Sequence, residues 1–307
     1  MNVLVSLHKG YGLGDAVQMS SVLRHVAKYR PEWRVDYRAE EGKHQVGRGI
    51  VANTFAYGQP YPSTHYDAEV QICLYDTWRG WGDRPETRVS SALHEHFDLE
   101  WDAKCGQYRV DVDSESEVSA SALIHGANHV QGIKSIRVPQ LSRTRYVAVH
   151  YTGDSCPASK DLTHDQADDV CAAILRLGCV PIILDWRGKS PLTYRKVRTP
   201  AHWGGDAEMV SAVIRQCVAF VGVDSGPAKC ASSTDVPSLV VWTGHHPAPF
   251  HDPAPNTTHL VPVGYHSLHP VRGNQKVINW FEDNYIIRQY EQYPVKQVAR
   301  WLQEVLS

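Results

Sequence analysis

The chain has 307 residues, 42% of them hydrophobic and 21% charged, which is the make-up of a globular protein with apolar mass for two ordinary domains or one large one. A net charge of −2 with mixed signs excludes a global field that steers the chain toward nucleic acid or an anionic membrane. No apolar run approaches the roughly 18 residues of a membrane span. The seven cysteines form no C-x-x-C pair and predict reduced thiols, mostly core filler, in a cytoplasmic protein with at most a peripheral seat on the inner membrane.

The N-terminus, Asn2 to Leu7, is a compact apolar run without a basic leader and reads as a first strand, not a signal peptide. It enters a glycine-rich loop, His8 to Asp15, followed by a helical pattern from Ala16 to Tyr29. The loop lacks the third glycine of a dinucleotide fingerprint, yet Gly12 and Gly14 let the backbone approach a ligand closely. Asp15 opens the helix and either caps it or projects into a cleft. Strands are predicted at Trp33–Arg38, within Ile50–Tyr57 and at Ala68–Leu74, the last ending in an aromatic loop with Trp78 and Trp81. Those tryptophans stack on a sugar or base, or simply pack. Ser90–Leu99 reads as a helix, and the serine-rich segment Asp113–Ser121 is the least core-like part of the chain. The polar stretch Ala127–Arg145 serves as a linker, giving domains at 1–143 and 144–307.

The second set begins with a strand at Tyr146–His150 and a loop through Thr152, Gly153, Ser155 and Lys160. A helix over Thr163–Leu177 stops at Gly178, and a strand at Val180–Leu184 ends in Asp185. A helix over Ala207–Cys217 feeds the most informative stretch, FVGVDSGPAKCASSTDVPSLVVWT from Phe220. Its apolar run is a buried strand, broken at Asp224-Ser225-Gly226-Pro227, where Pro227 sits in the first turn of a short helix. A second strand follows at Ser238–Trp242, and an amphipathic helix at Val295–Leu306 closes the chain. Strand, tight turn, helix, strand is a crossover unit of a parallel sheet, and its turn offers backbone N–H groups to an anion such as a diphosphate.

The spacing V-x-x-D-S-G-P-x-K-x-A, then Pro237 and Gly244, resembles the nucleotide-binding segment of glycosyltransferase family 9, the heptosyltransferase-like enzymes. Lys229 stands where that family commonly has His. The loop Gly12-Leu13-Gly14-Asp15 and the segment from Tyr151 to Lys160 are two further matches, in the same order. The resemblance implies an α/β protein of GT-B fold: two Rossmann-like, doubly wound parallel-sheet domains facing across a cleft. It implies a metal-independent transferase with no cofactor that uses a nucleotide-diphosphate sugar, ADP-linked by preference. Asp15 is then the base for the acceptor hydroxyl, its alternative being a plain cap, and Lys160 a cation for the leaving diphosphate, its alternative a solvated lysine. The implied donor site comprises Gly12, Gly14, Thr152, Gly153, Ser155, Asp185, Asp224, Ser225, Gly226, Pro227 and Lys229. Asp224 orders the turn or meets the nucleotide.

A cell-envelope glycan is the favoured acceptor. A modified DNA base or a protein side chain is the alternative, and Lys43, Arg48, Arg79, Arg84 and Arg88 form the only modest basic concentration for nucleic acid. A non-catalytic nucleotide- or sugar-binding module of the same fold is the competing class. The clusters His94-Glu95-His96 and His245, His246 and His251 look like metal ligands by composition but lack helical ligand spacing.

Overall fold

A computed structural model describes residues 1–60, 65–74, 87–126, 144–153, 157–185, 188–197 and 206–307. Trp78, Trp81, Arg79, Arg84, Ser155, Cys156 and most of the expected linker lie outside these residues.

The first sheet is parallel throughout, with strands β1 (Asn2–Leu7), β2 (Arg34–Ala39), β3 (Asn53–Ala56) and β4 (Ala68–Ile72) in the order β3-β2-β1-β4. The register pairs Val3 with Val35 on one side and with Ala68 on the other. β1 is buried from Val3 to Leu7 and mostly apolar because both faces are covered, as parallel sheets require. One cover is α1 (Leu13–Tyr29), which begins three residues before the expected Ala16. Helix α2 (Arg88–Phe97), the single turn α3 (Ala103–Gly106) and α4 (Ser114–Gly126) complete this half.

The second sheet is parallel with seven strands in the order β11-β10-β9-β8-β5-β6-β7. They are β5 (Tyr146–His150), β6 (Val180–Leu184), β7 (Arg195–Val197), β8 (Ala219–Val223), β9 (Ser238–Val241), β10 (Thr257–Pro262) and β11 (Ile286–Tyr290). Helices here are the single turn α5 (Pro157–Lys160), α6 (His164–Arg176), α7 (Ala207–Arg215), α8 (Gly226–Ser232), α9 (Gln275–Asn284) and α10 (Val295–Leu306). The boundaries of α6 have a local cause: Thr163 and Gln166 cap each other's backbone N–H at its start, and Gly178 follows at φ +72°. The closing amphipathic helix stands as expected, with Val298, Trp301 and Leu302 buried against the second sheet.

Three differences from the sequence reading have physical causes. The serine-rich segment is not irregular: α4 buries Ala120 and Ile124 under α7. Strands β10 and β11 and helix α9 fill the stretch between Gly244 and Val295, where polar residues such as Thr257, Thr258 and His259 are buried inside β10 and break the apolar pattern. Strand β7 is a three-residue edge strand.

In each sheet the chain winds outward in one direction and then resumes on the other side of its first strand. That reversal falls between β1 and β4, and between β5 and β8. Ligand crevices form outside the carboxyl ends at such points. Here the two halves meet, α1 packing on α8 and α4 on α7 within one continuous apolar core. Polar contacts reinforce the join: Glu208 on α7 accepts from Arg48, from the Asp113 amide and from the Ser116 hydroxyl. Among the described residues no helix is long and apolar enough to cross a membrane, and all six cysteines are free.

Candidate active site

The loop after β1 is braced before α1 begins. Lys43 Nζ donates to the Tyr11 carbonyl and to Glu40 Oε2, and Glu40 Oε1 accepts from the Gly10 amide. Asp15 caps its helix and also pairs with Arg88. Its Oδ2 accepts from the Gly12 amide at 3.1 Å, capping α1, and its Oδ1 accepts from Arg88 at 2.8 Å. The carboxylate stays 19% exposed while Arg88 is 8% exposed. Arg88 also donates to Gln18, and its own amide reaches the Pro249 carbonyl of the second half at 3.3 Å.

Across the join, β8 ends in Asp224 and Ser225. Ser225 caps α8 by accepting from the Ala228 amide at 3.4 Å, and its hydroxyl lies 3.0 Å from His150 Nδ1 at the end of β5. Burial pulls the His150 pKa down to about 4, so the imidazole is neutral at pH 7. Asp224 is buried and takes two ammonium groups, Lys160 on Oδ2 at 2.7 Å and Lys229 on Oδ1 at 3.0 Å. Burial pushes this carboxyl up, but the two cations outweigh it and hold it well below the usual carboxylate range. Lys160 is positioned from the loop after β9: the Thr243 hydroxyl donates to the Ser159 carbonyl at 2.7 Å, and a Cβ on Gly244 would fall 2.5 Å from that same oxygen. Only glycine at 244 admits the turn that carries Lys160.

The expected donor residues fare unevenly. The first turn of α8 faces the first half and not an open cleft, since a Cβ on Gly226 would meet Leu13 at 2.7 Å and the Gly14 amide at 3.0 Å. Pro227 has no N–H and the Ala228 amide is capped, so the turn presents fewer free donors to an anion than its sequence suggests. Gly14 lies over Lys229, whose amine is turned back to Asp224. Thr152 is exposed, and the Gly153 amide donates to Asp161 at 2.7 Å. Asp185 orders its own turn, accepting from the Lys189 and Ser190 amides at 2.9 and 3.1 Å.

Two residues of the site escaped the sequence reading. Phe250, on the loop after β9, has the Arg88 guanidinium 5.2 Å and the Lys160 amine 5.6 Å from its ring centre. One ring thus joins the cation that holds Asp15 to the cation on Asp224. Arg88 was weighed only as part of a basic patch. In that patch Lys43 is paired with Glu40, Arg48 with Glu208 and Arg88 with Asp15. Of the histidines weighed as ligands, His246 and His251 lie buried among aromatic rings and His94 is exposed on α2. Among the described residues no three His, Cys, Asp or Glu side chains are grouped to hold a metal ion.

No family model and no curated protein sequence matches the chain. Solved structures do. A family 9 glycosyl transferase from Veillonella parvula superposes with a TM-score of 0.68 at 13% identity, over 99% of this chain and 97% of that one. The fold is that of the family 9 glycosyltransferases. E. coli ADP-heptose lps heptosyltransferase II gives a TM-score of 0.55 at 10% identity, covering 100% of this chain and 98% of that one. The E. coli heptosyltransferase WaaC with ADP gives 0.53 at 13% identity, covering 92% and 100%. Together with the two parallel sheets joined at their carboxyl ends, these likenesses establish the GT-B architecture that the motifs implied.

Proposed function

We propose that this chain is a metal-independent glycosyltransferase that moves a sugar from a nucleoside-diphosphate sugar to an acceptor hydroxyl. The observation that carries the reading is the pair of partly exposed charges on either side of the join, Asp15 from the first half and Lys160 from the second, linked through Arg88 and Phe250. Asp15 takes the proton of the acceptor hydroxyl as its oxygen bonds to the anomeric carbon. The bond from that carbon to the diphosphate oxygen breaks, and the nucleoside diphosphate leaves with the electron pair. Lys160 meets the negative charge that develops on it, with the Ser225 hydroxyl, Thr152 and the Gly153 segment beside it. An ADP-linked donor is favoured because three structures of similar fold are described with ADP or an ADP-linked heptose. A cell-envelope glycan is the favoured acceptor.

Thermal unfolding against ADP-, GDP-, UDP- and CMP-linked sugars tests the donor. A ligand at about 100 times its dissociation constant adds roughly 2.7 kcal/mol. Asp15→Asn should keep that shift and abolish transfer. A second reading, a nucleotide-binding module without turnover, draws on the fact that both Asp15 oxygens already have partners. It predicts the same shift with no transfer by wild type to any acceptor.

A further inference from the structure

The two lysines on Asp224 are not equivalent. The Lys229 side chain is 5% exposed and that of Lys160 15%. Lys229 rises from α8 and is shut in by α1, where a Cβ on Gly14 would lie 3.2 Å from its Cδ and 3.3 Å from its Nζ. Lys160 stands on a single turn and keeps some exposure, with the Phe250 ring 5.6 Å from its amine. Two cations on one carboxylate leave one positive charge over, and only Lys160 is placed to carry it to a ligand.

We propose that Lys229 is a positioning residue: it neutralises Asp224 so that Lys160 can leave that carboxylate for the diphosphate of the donor. The inference rests on the transferase reading above. A buried carboxylate stripped of its only cation is strongly unfavourable, so a lone Lys160 would be retained by Asp224 against any competing anion. With Lys229 fixed on Oδ1, the departure of Lys160 leaves a one-to-one ion pair in the interior and frees an ammonium at the crevice. Burial lowers the Lys229 pKa and the Asp224 charge opposes that fall, which is the balance expected of a buried counter-ion.

Calorimetric titration of the full chain with ADP and with inorganic pyrophosphate tests this. Lys229→Met keeps the side chain's length and removes its charge. Affinity for both probes should then fall on the order of tenfold or more, because Asp224 retains Lys160. Adding Asp224→Asn should restore affinity to within about threefold of wild type, since nothing is left to hold Lys160 back. If Lys229 instead touches the phosphate, or serves the fold alone, the double variant stays as weak as the single one. That result overturns the proposal, as does a Lys229→Met protein that binds like wild type. Should Lys229→Met alone fail to fold, the comparison becomes Asp224→Asn with and without Lys229→Met. The two must bind ADP alike, and a weaker double variant overturns the proposal. Wild type that binds neither probe and shows no thermal shift with any of the linked sugars overturns the transferase reading together with this inference, whereas wild type that binds while the double variant fails overturns this inference alone.

Discussion

Gly226 and Leu13 touch across the join of the two halves: a Cβ at 226 would fall 2.7 Å from the Leu13 Cβ and 3.0 Å from the Gly14 amide nitrogen. Backbone cannot yield there as a flexible side chain would. Gly226→Ala should therefore push α1 from α8, at a cost of about 1–3 kcal/mol, the usual range for overpacking. Denaturant unfolding reads the stability, and transfer activity reads the separation of Asp15 from Lys160. Unchanged values for both would mean that this contact does not set the spacing of the site.

Arg88 gives a second test. It fixes Asp15 from one side and lies on Phe250 from the other. On the transferase reading proposed above, Arg88→Leu should lower kcat by on the order of 100-fold through misplacement of Asp15, with a smaller change in KM for the donor. Because Arg88 is buried, unfolding of the variant must be measured alongside. An intact fold with wild-type kcat would remove Arg88 from any role in the reaction.

Much of this architecture is legible in the sequence where burial on both faces leaves a continuous apolar run. Strands β1, β5 and β8 are such runs, and the loops that follow them carry Asp15, the Lys160 turn and Asp224 at once. Strand β10 was not legible because Thr257, Thr258 and His259 are buried in it by partners from other elements: the Thr257 hydroxyl meets Ser232, and His259 accepts from Trp242. Helix α4 was not legible because a sparse apolar face suffices when a neighbouring helix covers it. Arg88 and Phe250 lie outside any motif and enter the site only through packing, Arg88 across 73 residues from Asp15. The turn at Gly226 read as an open anion site because nothing local reveals that Leu13 covers it.

Acid should destabilise the protein well before its carboxylates titrate. Burial lowers the pKa of His246 and His259 to about 3 and of His150 to about 4, and holds His251 well below its ordinary 6.5. The unfolded chain therefore binds protons from pH 6.5 downward that the folded chain refuses. The contribution of these histidines is full above that pH and falls below it, by about 1.4 kcal/mol per pH unit for each. Urea midpoints measured from pH 7 to pH 4.5 should drop steeply. His246→Phe, which keeps an aromatic body beside Phe281, should flatten the slope by about one proton. An unchanged slope would show that His246 is not among the titrating groups.

Asp252 works in the opposite direction. Its carboxyl is 1% exposed, with the Thr87 hydroxyl beside it but, among the described residues, no hydrogen bond of good geometry on either oxygen. Burial raises its pKa to about 7, against the pull of the Thr87 hydroxyl and of the Lys229 and Arg88 charges. The folded state thus prefers the protonated acid while the unfolded chain ionises from about pH 3.8 upward. As pH rises from there to 7 the fold loses stability, on the order of 4 kcal/mol by the end of that range. Asp252→Asn supplies a neutral side chain of the same shape, so its stability should match wild type at pH 4 and exceed it at pH 8, with a higher midpoint in thermal unfolding. The acid limb set by the histidines should also steepen in this variant, because the opposing titration is gone. A difference between the two proteins that does not change with pH would mean that Asp252 keeps its charge in the folded state, held by Lys229 and Arg88.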